Sequence, residues 1–82
     1  MDTIKIEIPS INENIRIIES FIDNAKEKFN LDDDIYGNIM IAVTESVNNA
    51  IMHGNKNDRT KNVTISLSLN NNIILFKVMD EG

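Results

Sequence analysis

Residues Ile39 to Asn55, IMIAVTESVNNAIMHGN, restrict the possible folds of this chain more than any other stretch. Ile39, Met40, Ala42, Val43, Val47, Ala50 and Ile51 occupy most of the circumference of a helix, and a helix that is apolar nearly all round belongs in a core. Glu45 and Asn49 break that pattern four residues apart, so they fall one turn apart on a common face. A carboxylate taken out of water without compensation costs several kcal/mol. The face carrying this pair therefore either meets solvent or lines a site, and the residues alone leave both readings standing. Gly54 predicts the end of the helix as a C′ glycine, with His53 in the last turn.

The flanking segments supply the cover such a helix needs. Thr3 to Ile8 alternates, with Ile4, Ile6 and Ile8 on one side and Lys5 and Glu7 on the other, which predicts a half-buried strand stopped by Pro9. Ser10-Ile11-Asn12-Glu13 reads as a capping box, Ser10 as N-cap and Glu13 at N3. Behind it Ile11, Ile15, Ile18, Ile22, Ala25 and Phe29 recur at helical spacing, predicting a helix from Ile11 to Phe29. Its opposite face carries Arg16, Glu19, Asp23, Lys26 and Glu27, a mixed-charge surface that is either solvated or a place for a partner to dock. Asp32 predicts the N-cap of the central helix, with Asp33 and Asp34 favourable to the first-turn dipole. Consecutive aspartates at a helix start are caps far more often than metal ligands, and we read them so.

After the polar loop Asn55–Asn62, which holds Lys56, Arg59 and Lys61, the residues Val63, Ile65, Leu67 and Leu69 alternate with Thr64, Ser66 and Ser68. That is a strand with one wet face. Asn70-Asn71-Asn72 predicts a tight hairpin, because asparagine tolerates the left-handed region. Ile73 to Met79 is apolar on both faces apart from Lys77, which predicts a strand interior to its sheet. The order β-α-α-β-β predicts an α/β two-layer sandwich with its helices on one face of the sheet.

With 82 residues the chain forms one small domain, 1–82, that buries only roughly 60% of its unfolded surface. The absence of cysteine removes disulfides and thiolate metal sites and fits a reducing, cytoplasmic setting. No apolar run approaches the ~20 residues of a membrane span, and the start, Met1-Asp2-Thr3, does not open a signal peptide. A net charge of −5 without a basic stripe argues against direct nucleic-acid binding. It does not argue against ATP, because phosphate sites are local and can recruit Mg²⁺.

Glu45-x-x-x-Asn49-Ala50, followed by His53-Gly54 and, across the hairpin, by Asp80-Glu81-Gly82, resembles the N box and the opening of the G1 box of the Bergerat-fold ATPases. These are the gyrase, heat-shock chaperone, histidine-kinase and mismatch-repair ATP-binding domains. Within that superfamily AVTESVNNAIMHGN is most similar to the bacterial anti-sigma-factor serine/threonine kinases, and the resemblance extends over essentially the whole chain. It implies ATP and Mg²⁺ as cofactors. Asn49 would supply an oxygen to the metal, and Glu45 would position or deprotonate the attacking serine hydroxyl. Asp80 would accept from the adenine amino group, and Gly82 would let the backbone come close to the base. His53 would approach ribose or phosphate, although a dipole partner at the helix end explains it as well.

The resemblance also implies a sigma factor and an anti-anti-sigma antagonist protein as partners in a partner-switching system, and a homodimer formed through the sheet. Its glycines are Gly37, Gly54 and Gly82, so the family's second glycine-rich box has no counterpart here. The expectation is therefore an N-terminal part of a histidine-kinase-like ATPase domain, with phosphoryl transfer belonging to the longer parent. Two other readings stay open: a non-catalytic interaction module on the same fold, and a histidine-kinase catalytic domain.

Overall fold

Three strands and two helices make up most of residues 2–81, which are the residues the computed structural model describes. Strand β1 is Asp2–Pro9, helix α1 Ile15–Lys28, helix α2 Asp33–Asn49, strand β2 Asn62–Asn70 and strand β3 Ile73–Met79. The sheet order is β1-β2-β3 and both pairings are antiparallel. Ile4, Ile6 and Ile8 stand opposite Leu67, Ile65 and Val63, and Val78, Phe76 and Ile74 stand opposite Ile65, Leu67 and Leu69. A slip of one residue would turn each of these rows to the other face, so the alternation specifies the register. At the hairpin Asn71 and Asn72 both take positive φ, 50° and 66°, the backbone that a two-residue type I′ connection demands.

The apolar rows of β1 and β2 meet Ile18, Phe21, Ile22 and Ala25 of α1 and Ile39, Val43 and Val47 of α2 in one core. Ile18, Ile22, Val43, Val47, Ile65 and Leu67 are wholly buried there. The two helices cover one face of the sheet, as the α/β two-layer reading expects. Asp32 caps α2 as anticipated, its carboxylate accepting from the Ile35 amide at 2.8 Å. Across the α1–α2 seam Lys26 Nζ meets Asp33 Oδ1 at 2.8 Å and lies 4.6 Å from the centre of the Tyr36 ring. The Tyr36 hydroxyl donates to Asp23. The hydrogen bond from Lys26 holds the Asp33 carboxyl below its ordinary value, and the one to Asp23 holds the Tyr36 hydroxyl above its own.

Four sequence expectations need correction. Ser10 is not a helix cap: Ile11 occupies that position without a side-chain bond, a 3₁₀ turn Asn12–Asn14 follows, and α1 begins at Ile15. The Ser10 side chain is instead buried and donates to the Lys61 carbonyl at 2.8 Å, because a hydroxyl beside the sheet finds a tertiary acceptor. Gly54 is not a left-handed C′ residue either. The chain reverses at Lys56 and Asn57, with φ of 53° and 58°, after a single π-helical turn Ala50–Gly54.

β3 forms an edge of the sheet, paired on one side with β2 among the described residues. Its outward Ile73, Leu75 and Met79 are exposed; apolar periodicity reports which residues favour cover, not whether a neighbour supplies it. Finally, α2 is not buried all round, since Ile41 is 68% exposed and Met52, just beyond it, is 43% exposed.

Candidate functional site

Where α2 ends, the backbone widens into the π turn, closed by the Asn55 amide donating to the Ala50 carbonyl at 2.8 Å. Such turns are uncommon and concentrate at functional places. This one keeps Ala50 and Ile51 in the core and leaves His53 exposed at the helix end. Against it lie the end of β3 and the residue after it. Together they form an open depression of about 480 Å³, within the size range of small-molecule sites. Ser46, Asn49 and His53 contribute from the helix, Phe76 and Val78 from β3, and Asp80 from the segment past the strand.

Gly54 decides how closely these two walls approach. A Cβ placed there would overlap the Asp80 carboxylate and touch its Cβ at 3.0 Å. The glycine is thus required by contact with Asp80, with no positive φ involved.

The structure brings three of the expected site residues, Asn49, His53 and Asp80, into one depression. Glu45 is exposed and opens on a neighbouring hollow lined by Glu19, Met40, Ile41, Thr44 and Asn48. Helical geometry explains the division. At ~100° per residue, Glu45 lies two steps from both Val43 and Val47, nearly opposite the buried stripe, and Asn49 is rotated about 40° from it toward β3. The Thr44 hydroxyl in the Glu45 hollow is buried without a hydrogen-bond partner among the described residues. Gly82, expected to approach the base, lies outside the described residues.

Phe76 and Val78 were legible as apolar strand residues but not as the apolar wall of the depression, which appears only once β3 is set against the helix end. Nothing in their spacing marks Asn55 and Ser10 as a buried polar pair, yet Asn55 Nδ2 donates to Ser10 Oγ at 2.7 Å. The loop between Asn55 and β2 is ordered by Asp58, whose carboxylate accepts from the Thr60 hydroxyl at 2.6 Å and the Thr60 amide at 2.9 Å. These bonds, the hydroxyl's foremost, hold the Asp58 carboxyl below its ordinary value.

The arrangement suits an adenine nucleotide. Asp80 offers an acceptor beside an apolar wall, and Asn49 and His53 offer polar groups farther along. Residues 8–82 match the family model of the histidine kinase-like ATPase domain. The chain belongs to the histidine kinase-like ATPase family. No curated protein matches it. Membership in a histidine kinase-like ATPase family implies ATP as the ligand, and the α/β layers described above are a partial sandwich of that type. Among the described residues no three His, Cys, Asp or Glu side chains gather into a metal site. No helix among the described residues is long and apolar enough to cross a membrane.

Proposed function

We propose that the chain is the ATP-binding part of a serine/threonine protein kinase that acts as an anti-sigma factor in a partner-switching system. The observation that carries this reading is the exposed Glu45 one turn before Asn49, with Asn49 sharing a depression with Asp80. Asp80 accepts from the adenine amino group, and Phe76 and Val78 pack beside the base. Asn49 Oδ1 is the side-chain oxygen offered to Mg²⁺, which supplies charge neutralisation on the phosphates when bound. His53, at the rim, faces ribose or phosphate. Glu45 takes the proton of the attacking serine hydroxyl. Phosphoryl transfer asks chiefly for positioning and electrostatic stabilisation, so one base and one ligand on a rigid helix are suitable equipment.

The partners in this reading are a sigma factor and an anti-anti-sigma antagonist, in the cytoplasm, with a homodimer formed through the sheet. Support for the dimer comes from β3, whose outer edge and exposed Ile73, Leu75 and Met79 form a template for another strand. A non-catalytic interaction module is the second reading, favoured by one observation: Glu45 opens on a different hollow from Asn49 and Asp80.

The deciding experiment compares the full-length protein with its Glu45→Gln variant, following MgATP binding by calorimetry and phosphate transfer to serine by mass spectrometry. A general base acts mainly in the transition state, so transfer should fall by ~10²–10⁴-fold with binding largely kept. Lost binding with unchanged turnover per bound nucleotide would overturn Glu45's role. Binding without any transfer in the unaltered protein would favour the interaction module.

A further inference from the structure

Asn55 is almost completely buried, 1% exposed, and its side-chain amide makes three hydrogen bonds. Nδ2 donates to Ser10 Oγ at 2.7 Å and to the Asn62 carbonyl at 3.0 Å. Oδ1 accepts from the backbone amide of Glu81 at 2.7 Å. The orientation of the amide follows from its neighbours, since the Asn62 carbonyl can only accept and the Glu81 N–H can only donate. Glu81 is tied a second time, its carboxylate accepting from the Asn62 amide. One side chain therefore joins the ends of β1 and β2, the end of the central helix, and the residue that follows Asp80.

We infer that Asn55 is the positioning residue for Asp80, and that it sets the protein's preference for an adenine base. Gly54 and Asn55 act on the two sides of the same short segment. The bare Cα of Gly54 leaves room for the Asp80 carboxylate, and Asn55 Oδ1 holds the next amide, so the carboxylate cannot retreat from the helix end. The inference rests on the nucleotide reading of the site and deepens it: Asp80 touches the base, and Asn55 acts through Asp80. A hydrogen bond read off a base is worth most when its acceptor is held before the ligand arrives, because no ordering is then needed on binding.

The test compares MgATP with MgITP, which carries the same triphosphate but an oxo group in place of the 6-amino group. The unaltered chain should prefer MgATP about tenfold or more, the size of one hydrogen bond to a charged acceptor. Asn55→Ala should bring the two dissociation constants to within about threefold, mainly by weakening MgATP. Ser10→Ala removes a different part of the same network and leaves Oδ1 on Glu81, so it should lower thermal stability and keep the preference. Equal loss of preference in both variants would show general loosening and overturn the positioning role, as would an unchanged preference in Asn55→Ala.

If Asn55→Ala does not fold, hydrogen exchange in the unaltered chain decides the matter. The Glu81 amide should be protected, and slowed further by MgATP than by MgITP. Exchange at the free-chain rate, or equal slowing by both nucleotides, would overturn the inference. An unaltered chain that binds MgATP and MgITP equally would instead sink the adenine reading of Asp80, and this inference with it.

Discussion

Replacing Gly54 by alanine separates the stability of the domain from its ligand chemistry, because two opposing effects partly cancel in stability while only one of them acts on the ligand site. In a helical turn alanine is favoured over glycine by up to ~1 kcal/mol. The added methyl would overlap the Asp80 carboxylate, and overpacking of this kind typically costs ~1–3 kcal/mol. Stability should therefore fall by between zero and ~2 kcal/mol, leaving a folded protein. Binding should suffer more. The Asp80 side chain must swing away from the helix end, and losing one hydrogen bond to a charged acceptor, ~1.5–3 kcal/mol, weakens adenine-nucleotide binding roughly ten- to a hundred-fold. Gly37→Ala is the matched control: it lies within α2 and an added Cβ there meets nothing within 4 Å. It should gain ~0.5–1 kcal/mol, a rise of several degrees in Tm for a domain of this size, with binding unchanged. Thermal melts and calorimetry with MgATP measure both quantities. MgATP binding to Gly54→Ala at unaltered strength would refute the placement of Asp80 at the base.

Asn49→Ala should weaken nucleotide binding in the presence of Mg²⁺ more than in its absence; calorimetry showing equal losses would make Asn49 structural. Placing charge on the outer face of β3, as in Leu75→Lys, should shift any assembly toward monomer in analytical ultracentrifugation at tens of micromolar without unfolding the chain, since Leu75 is 54% exposed. Asp33 and Asp58 are both held below their ordinary value of 3.8 by hydrogen bonds from Lys26 and Thr60. A depressed carboxyl favours the fold above its unfolded value, and that contribution is lost as pH falls through the lower folded value. Denaturant titrations of an Asp33→Asn/Asp58→Asn variant should consequently show a shallower loss of stability below pH 3.8, by a modest margin because both groups are exposed; an identical acid limb would remove these bonds from the account.

Much of the fold was legible because its signals are local. Alternation at Ile4, Ile6 and Ile8 and at Val63, Ile65 and Leu67 placed two strands, the Asn70-Asn71-Asn72 run placed the hairpin, and Asp32 marked the start of the central helix. What the pattern could not convey lies between elements. Ser10 carries the local wording of a cap, but the Lys61 carbonyl and the Asn55 amide are within its reach only after the sheet has formed. Gly54 looked like a helix terminator since glycine usually is one; that it faces Asp80 depends on how β3 ends. For the candidate site, the four-residue spacing of Glu45 and Asn49 was correct as periodicity. The 40° between them, enough to send them to different hollows, matters only beside β3.

The path of the chain also has a kinetic consequence. β2 and β3 are joined by two residues, so their hairpin needs little loop closure and belongs to the microsecond class of events. β1 reaches the same sheet only after both helices have intervened: Thr3 and Ser68, whose hydroxyls meet at 3.0 Å, are 65 residues apart. Contacts of that separation are slow to form and reward the chain only once the intervening segment is ordered. The hairpin and the two helices are thus expected to assemble first, with the N-terminal strand docking last and, by reversal, detaching first. Since β1 pairs with β2 as far as Asn62, itself a partner of Asn55, detachment of the whole strand would loosen the anchor of Asp80 where loss of the Ser10 hydroxyl alone does not. Occupancy of the nucleotide site and retention of the N-terminal strand should then rise and fall together, though the two lie at different ends of the chain.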